Sequence, residues 1–169
     1  MNGCVVWITG LPSSGKSTLA ARLARRLADS GTPPLVLDGD AVRTALDPAP
    51  GYDAPGRDAF YRTLARLAGL AARQGIVVIV AATAPRRSHR ACARAAAPRL
   101  LEVFVDVPVE ECARRDAKGL YARARAGELA TLPGAGEPYE VPEAPDVVAR
   151  GGEDEDALER LTVLLTRSG

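Results

Sequence analysis

One octapeptide limits what this chain can fold into more than any other stretch. Gly10-Leu-Pro-Ser-Ser-Gly15-Lys16-Ser17 has the glycine, lysine and hydroxyl spacing of a phosphate-binding loop. It follows Cys4 to Thr9, a nearly all-apolar run rich in β-branched residues, and it precedes a long Ala/Leu/Arg segment, so the order is strand, loop, helix. The mechanism demands that context. Successive backbone N–H groups wrap a β-phosphate, the helix start adds its positive end, Lys16 reaches the β and γ oxygens, and Ser17 can ligate Mg²⁺. Gly10, Ser13, Ser14, Gly15 and Thr18 complete the expected ATP lining. A Gly-rich turn without a ligand would require no such order of residues. A guanine-specific switch is excluded, because the chain holds one asparagine, Asn2, and neither lysine follows it.

The strand-then-helix rhythm recurs. Leu35 to Asp38, Ile76 to Val80 and Leu101 to Asp106 read as buried strands, with helices near Ser17 to Ser30, Arg57 to Gln74 and Ser88 to Ala97 between them. Asp146 to Ala149 reads as a weaker fifth strand and Asp154 to Thr166 as a closing helix, with acidic residues at its dipole-favoured start. Continuous apolar strands are buried on both faces, so the expected fold is α/β: a three-layer sandwich with a mainly parallel central sheet and a lid. Its 169 residues suit one domain, 1–169, and no internal repeat divides them. Two segments break the rhythm, Asp47 to Arg57 and Thr131 to Pro145. They hold seven of the thirteen prolines and read as lid or binding loops. With the charged stretch before the second, the lid and substrate loops span about 47–57 and 116–145.

Charge narrows the partners. Twenty-two basic and 21 acidic side chains leave +1, too little for a uniform field that would hold a nucleic-acid backbone. The longest apolar stretch, Ile76 to Ala82, is far short of a membrane span, and no basic leader precedes Cys4, so a cytoplasmic protein with small-molecule partners is expected. The three cysteines have no metal-binding spacing and read as small apolar residues of a reduced compartment. Twenty of the basic residues are arginine; only Lys16 and Lys118 are lysine, which points to two positions needing a compact ammonium. His89, Arg86, Arg87, Arg90 and Arg94 read as a solvated helix face without a role.

Leu35-Val-Leu-Asp38-Gly-Asp40-Ala-Val-Arg43 puts two carboxylates just past a strand's carboxyl end, where ligands bind in open α/β sheets. One could hold hydrated Mg²⁺ or orient a hydroxyl, and Arg43, a helical turn on, could meet an anionic acceptor. Asp106 is a rival carboxylate, better read as a cap. Arg115-Asp116-Ala-Lys118-Gly119-Leu120-Tyr121 and Pro138-Tyr139-Glu140-Val-Pro142 follow downstream. With these four segments in order, the chain resembles the adenylylsulfate kinases, which transfer the γ-phosphate of ATP to the 3′-hydroxyl of adenosine 5′-phosphosulfate (APS).

The resemblance implies roles. Lys16, Asp40 and Lys118 are the catalytic set, and Asp40 serves both the acceptor hydroxyl and, with Ser17, the Mg²⁺. Asp38, Arg43 and Arg57 line the acceptor side, Lys118, Gly119 and Leu120 close over both substrates, and Arg115 lies near the ATP base. Tyr52 stands where the family has a phenylalanine that stacks on the acceptor's adenine. A homodimer is consistent with relatives. The departures cluster on the acceptor side: Phe60 replaces an asparagine, Thr83-Ala84-Pro85 replaces Ile-Ser-Pro, and Leu132 replaces a second aromatic. They leave two readings open, drift within an ordinary family member or a kinase for a different or modified nucleotide. A non-catalytic ATP sensor is a third, disfavoured because a sensor needs no Asp38, Asp40 or Lys118.

Overall fold

The computed structural model describes residues 3–167. Five strands form one sheet in the order β2-β3-β1-β4-β5, every neighbouring pair parallel. They are β1 (Cys4–Thr9), β2 (Leu35–Asp38), β3 (Val77–Ala81), β4 (Leu100–Val105) and β5 (Val147–Ala149). The helices are α1 (Lys16–Asp29), α2 (Gly39–Ala45), α3 (Ala54–Arg73), α4 (Arg87–Ala96), α5 (Val109–Arg115), α6 (Leu120–Arg125) and α7 (Glu155–Thr166).

The central strand explains the layering. Side chains of β1 alternate faces, so Cys4, Val6 and Ile8 join one core while Val5 and Trp7 join another. The first core is closed by Leu19, Leu23 and Leu27 of α1, spaced one helical turn apart, and by Leu158, Leu161 and Leu165 of α7. The second is closed by Phe60, Leu64 and Ala68 of α3 and Ala93 of α4. Both faces being covered, β1 reads as an unbroken apolar run. No helix is long and apolar enough to cross a membrane among the described residues.

The expected strands and long helices are present within a few residues. Two features differ. The segment Asp47 to Arg57 is not irregular throughout: Asp53 caps α3 by accepting from the Gly56 N–H at 3.3 Å, and Pro55 sits in the first turn, where its missing N–H costs nothing. Three short helices, α2, α5 and α6, add to the long ones, each too short to show a period. Each is fixed locally, as where the Asp38 carboxylate caps α2 and the Asp116 carboxylate accepts from the Tyr121 and Ala122 N–H groups at the start of α6.

Candidate active site

The carboxyl edge of the sheet, where α/β folds bind ligands at a switch in strand order, gathers the phosphate loop, the β2–α2 turn and the segment after α5. Gly15 takes the left-handed conformation (φ 105°) that turns the loop into α1, and a side chain at Gly10 would meet the Val105 carbonyl at 2.8 Å. Lys16 Nζ donates to the Leu11 carbonyl at 2.8 Å, folding the ammonium back over its own loop. Burial pulls its pKa from 10.5 down to about 8. Tyr121 of α6 donates its hydroxyl to the Pro12 carbonyl at 2.9 Å and so ties the lid to the phosphate loop.

Ser17 donates its hydroxyl to Asp38 Oδ2 at 2.6 Å. The other Asp38 oxygen accepts from the Asp40 and Ala41 N–H groups at 3.1 and 3.4 Å, so capping α2 is what aims this carboxylate at the loop. Asp40 forms an exposed ion pair with Lys118. The structure thus brings Ser17 together with Asp38, not with Asp40. Gly119, at φ 65°, starts α6 immediately after Lys118, with Leu120 its first residue.

Across the cleft, Arg43 is buried between two rings, its guanidinium 4.3 Å from the Tyr52 centroid and 4.0 Å from that of Phe60. It donates to the Pro50 and Gly51 carbonyls at 2.8 and 3.1 Å. Phe60, which has no amide to offer a ligand, therefore serves as a floor for Arg43. Arg57 is buried, ion-paired with Glu137, and donates to the Thr131 carbonyl at 2.7 Å. Thr83 accepts at its carbonyl from the Thr9 hydroxyl at 2.6 Å, and Tyr139 in turn donates to Thr9 Oγ1 at 2.7 Å. Ala84 is held at φ 42° by the Tyr61 hydroxyl on its N–H and by Arg90 on its carbonyl.

A second cleft of about 580 Å³ opens beside Gly15 and Thr18, with Arg115 on one wall and Arg150, Gly152 and Asp156 on the other. Arg115, expected near a nucleotide base, borders this cleft. The β5–α7 wall carried no motif that sequence reading could use.

Several expectations need correction. Leu132, expected on the acceptor side, is buried in the same core cluster as Ile8 and Leu19. Asp106 does not cap α5, whose N-cap is Pro108 without a side-chain bond. His89 is not solvated. It is 4% exposed, bonds Asp58 at 2.8 Å through Nε2 and lies 4.3 Å from the Tyr61 ring, while burial lowers its pKa. The arginine face is divided: Arg90 is buried and pairs with Glu102 at 3.1 Å, whereas Arg87 and Arg94 stay exposed as expected, with Arg87 paired to Glu143 at 2.9 Å. An acidic partner on a neighbouring strand turns Arg90 inward, a signal that helix periodicity alone does not carry.

Proteins whose lid cation and paired carboxylates face a phosphate loop at this sheet edge are P-loop phosphotransferases, and this chain is an ATP-dependent kinase of that class. The adenylylsulphate kinase family is matched over residues 2–150, and the chain belongs to it. It is 47% identical to the adenylyl-sulfate kinase of Chloroflexus aurantiacus over 88% of this chain and 80% of that protein. To that of Picosynechococcus it is 41% identical over 99% and 96%. It also matches the bifunctional enzyme NodQ of Azospirillum brasilense at 46% identity, covering 98% of this chain but only 27% of NodQ. Among solved structures, the Mycobacterium tuberculosis APS kinase CysC in complex with AMPPNP and APS superposes with a TM-score of 0.90 at 41% identity, over 98% of this chain and 99% of that one.

Proposed function

We propose that the protein transfers the γ-phosphate of MgATP to the 3′-hydroxyl of APS. The observation that carries the assignment is the double pairing at the mouth of the phosphate loop, Ser17 with Asp38 and Lys118 with Asp40. Lys16 and the loop N–H groups hold the β and γ phosphates. Asp40 orients the acceptor hydroxyl and takes its proton, and Lys118 moves from Asp40 toward the transferring group as ligands enter. The Ser17 hydroxyl and Asp38 carboxylate are hard oxygen donors 2.6 Å apart, the donor set that suits Mg²⁺. That ion, when bound, supplies charge neutralisation between the phosphates. The base of ATP lies in the cleft between Arg115 and the Arg150–Asp156 loop, and Arg57 meets the anionic group of the acceptor. The buried thiols Cys4 and Cys112 suit a reducing, cytoplasmic setting. The Thiobacillus denitrificans APS kinase is hexameric, and a homo-oligomer is our reading for this chain as well.

A second reading, a kinase for a different nucleotide, is favoured by one feature: Phe60 and Tyr52 already clasp Arg43, which occupies a ring face that a base would otherwise take. A panel of nucleotide acceptors compared by kcat/KM tests both. ADP should form only with an acceptor present, and APS should lead. If another nucleotide leads and Phe60→Asn restores APS, the second reading replaces the first; acceptor-independent ADP formation refutes both.

A further inference from the structure

Glu137 lies in none of the roles assigned so far, yet its carboxylate joins two arginines from different helices. Oε2 pairs with Arg57 of α3, and Oε1 lies 3.4 Å from Arg86 at the start of α4. The Glu137 and Arg57 side chains are only 16% and 10% exposed, whereas Arg86 is 40% exposed. Arg43 is a third guanidinium close by; after burial, its charge and that of Arg86 push the Arg57 pKa down. The carboxylates facing this group are Glu137 and Asp58, the latter 3.8 Å from Arg86 and shared with His89. Among the described residues these three guanidiniums face two carboxylates, with Arg62 also close to Asp58, and Arg43 is served by carbonyls and rings. The cluster retains positive charge with Glu137 in place, and replacing that one carboxylate by a dianion would bring it closer to neutrality.

The backbone around Glu137 is already anchored. Its N–H donates to the Leu132 carbonyl at 3.1 Å, its carbonyl accepts from the Gly134 N–H at 2.8 Å, and three residues on the Glu140 N–H donates to the Pro85 carbonyl at 2.8 Å. The side chain can therefore leave by rotation while the loop stays in place. A lid hinge is not needed.

We propose that Arg86 joins Arg57 in binding the anionic group of the acceptor, and that Glu137 is the acceptor's intramolecular competitor for both arginines. The proposal rests on the assignment of Arg57 to the acceptor side. It makes anionic charge an entry condition: an acceptor without a multiply charged group gains nothing by displacing a carboxylate already paired twice.

Removing opposite halves of the pair distinguishes this from a structural role, because simple destabilisation would move both variants the same way. Glu137→Gln should lower the KM for APS about fivefold, the worth of an ion pair near 1 kcal/mol, and Arg86→Gln should raise it by a similar factor. Inorganic sulfate and pyrophosphate, measured by calorimetry on the same proteins without any acceptor, should follow the same opposite signs. Equal or same-direction shifts in anion affinity overturn the proposal. If the anion affinities split as expected while APS is not phosphorylated, the competitor stands and the acceptor assignment fails.

Discussion

Raising the pH should loosen ATP binding through one group. In the nucleotide-free protein, burial draws the Lys16 ammonium from 10.5 down to about 8, against the opposing pull of Cys112, Asp40 and Asp38. Only the protonated lysine neutralises phosphate oxygens, so the competent fraction is about one half at pH 8 and about one tenth at pH 9. The apparent Kd for ATP should rise about fivefold across that unit and about tenfold across the next. Stability runs the other way. Between about 8 and 10.5 the unfolded chain holds this proton and the folded chain does not, so the nucleotide-free protein gains stability as the pH rises through that window. Opposite slopes for affinity and stability are the signature. Calorimetry in two buffers of different ionisation enthalpy should find uptake of about half a proton per ATP near pH 8 and nearly a whole one near pH 9. Lys16→Met should abolish the uptake. A flat Kd between pH 7 and 9 with no proton taken up would refute the argument, since it would mean Lys16 is fully charged before the nucleotide arrives.

Gly152→Ala should cost about 1 to 3 kcal/mol and lower the thermal midpoint by about 2 to 4 °C for each, because the new methyl would sit 2.6 Å from Thr18 Cβ and 2.7 Å from the Gly15 carbonyl oxygen. ATP affinity should fall with it; an unchanged midpoint would show that the β5–α7 loop yields freely. Asp40→Asn should lower kcat by about 10² to 10⁴ with little change in ATP affinity, whereas Asp38→Asn should chiefly raise the Mg²⁺ concentration needed for half-maximal rate. Single-turnover rates and Mg²⁺ titrations separate the two, and an exchange of phenotypes would reverse their roles. The folded pKa of His89 lies below 6.5, so the stability this buried neutral ring contributes is lost as the pH falls from about 6.5. Melting curves from pH 7 to 5 should show the decline, and His89→Gln should flatten part of it; an unaltered slope would place the acid sensitivity elsewhere.

How legible the fold was depended on the range of the interaction responsible. Cys4–Thr9 and Val77–Ala81 announce themselves because both faces are covered, so every position but Thr9 is apolar and turn residues mark the ends. α1, α3 and α7 are long enough for leucine and alanine to repeat at the helical period. β2 is a weaker case: it is an edge strand whose Leu35 and Val36 remain exposed, and its register against β3 comes from pairing that composition does not encode. The short helices α2, α5 and α6 hold six or seven residues each and owe their existence to caps and tertiary seats, which leave no periodic trace.

The site divides along the same line. Lys16, Ser17 and the carboxylate pair after β2 were readable because each lies within a few residues of the strand end that positions it, but which of the two carboxylates meets Ser17 was not. Arg86, His89, Arg90 and Glu137 were not, because the pairings that define them, such as His89 with Asp58 and Glu137 with Arg86 and Arg57, span 31, 51 and 80 residues and the sequence shows only a basic helix start and an acidic residue before a proline. In a chain that uses arginine at 20 of its 22 basic positions, the same letter marks a solvated face and a buried ligand alike. What separates them is the carboxylate opposite. Glu102 turns Arg90 into a buried strut, Glu137 holds Arg57 at the cleft, and Arg43 has rings and carbonyls where a carboxylate would stand. Lysine escapes this ambiguity. Lys118 pairs with an exposed carboxylate, and such a pair is worth about 1 kcal/mol or less, so a phosphate can take the ammonium from Asp40 at little cost. A buried, bidentate arginine at that position would resist the exchange, which is a physical reason for a second lysine in a chain that otherwise writes arginine.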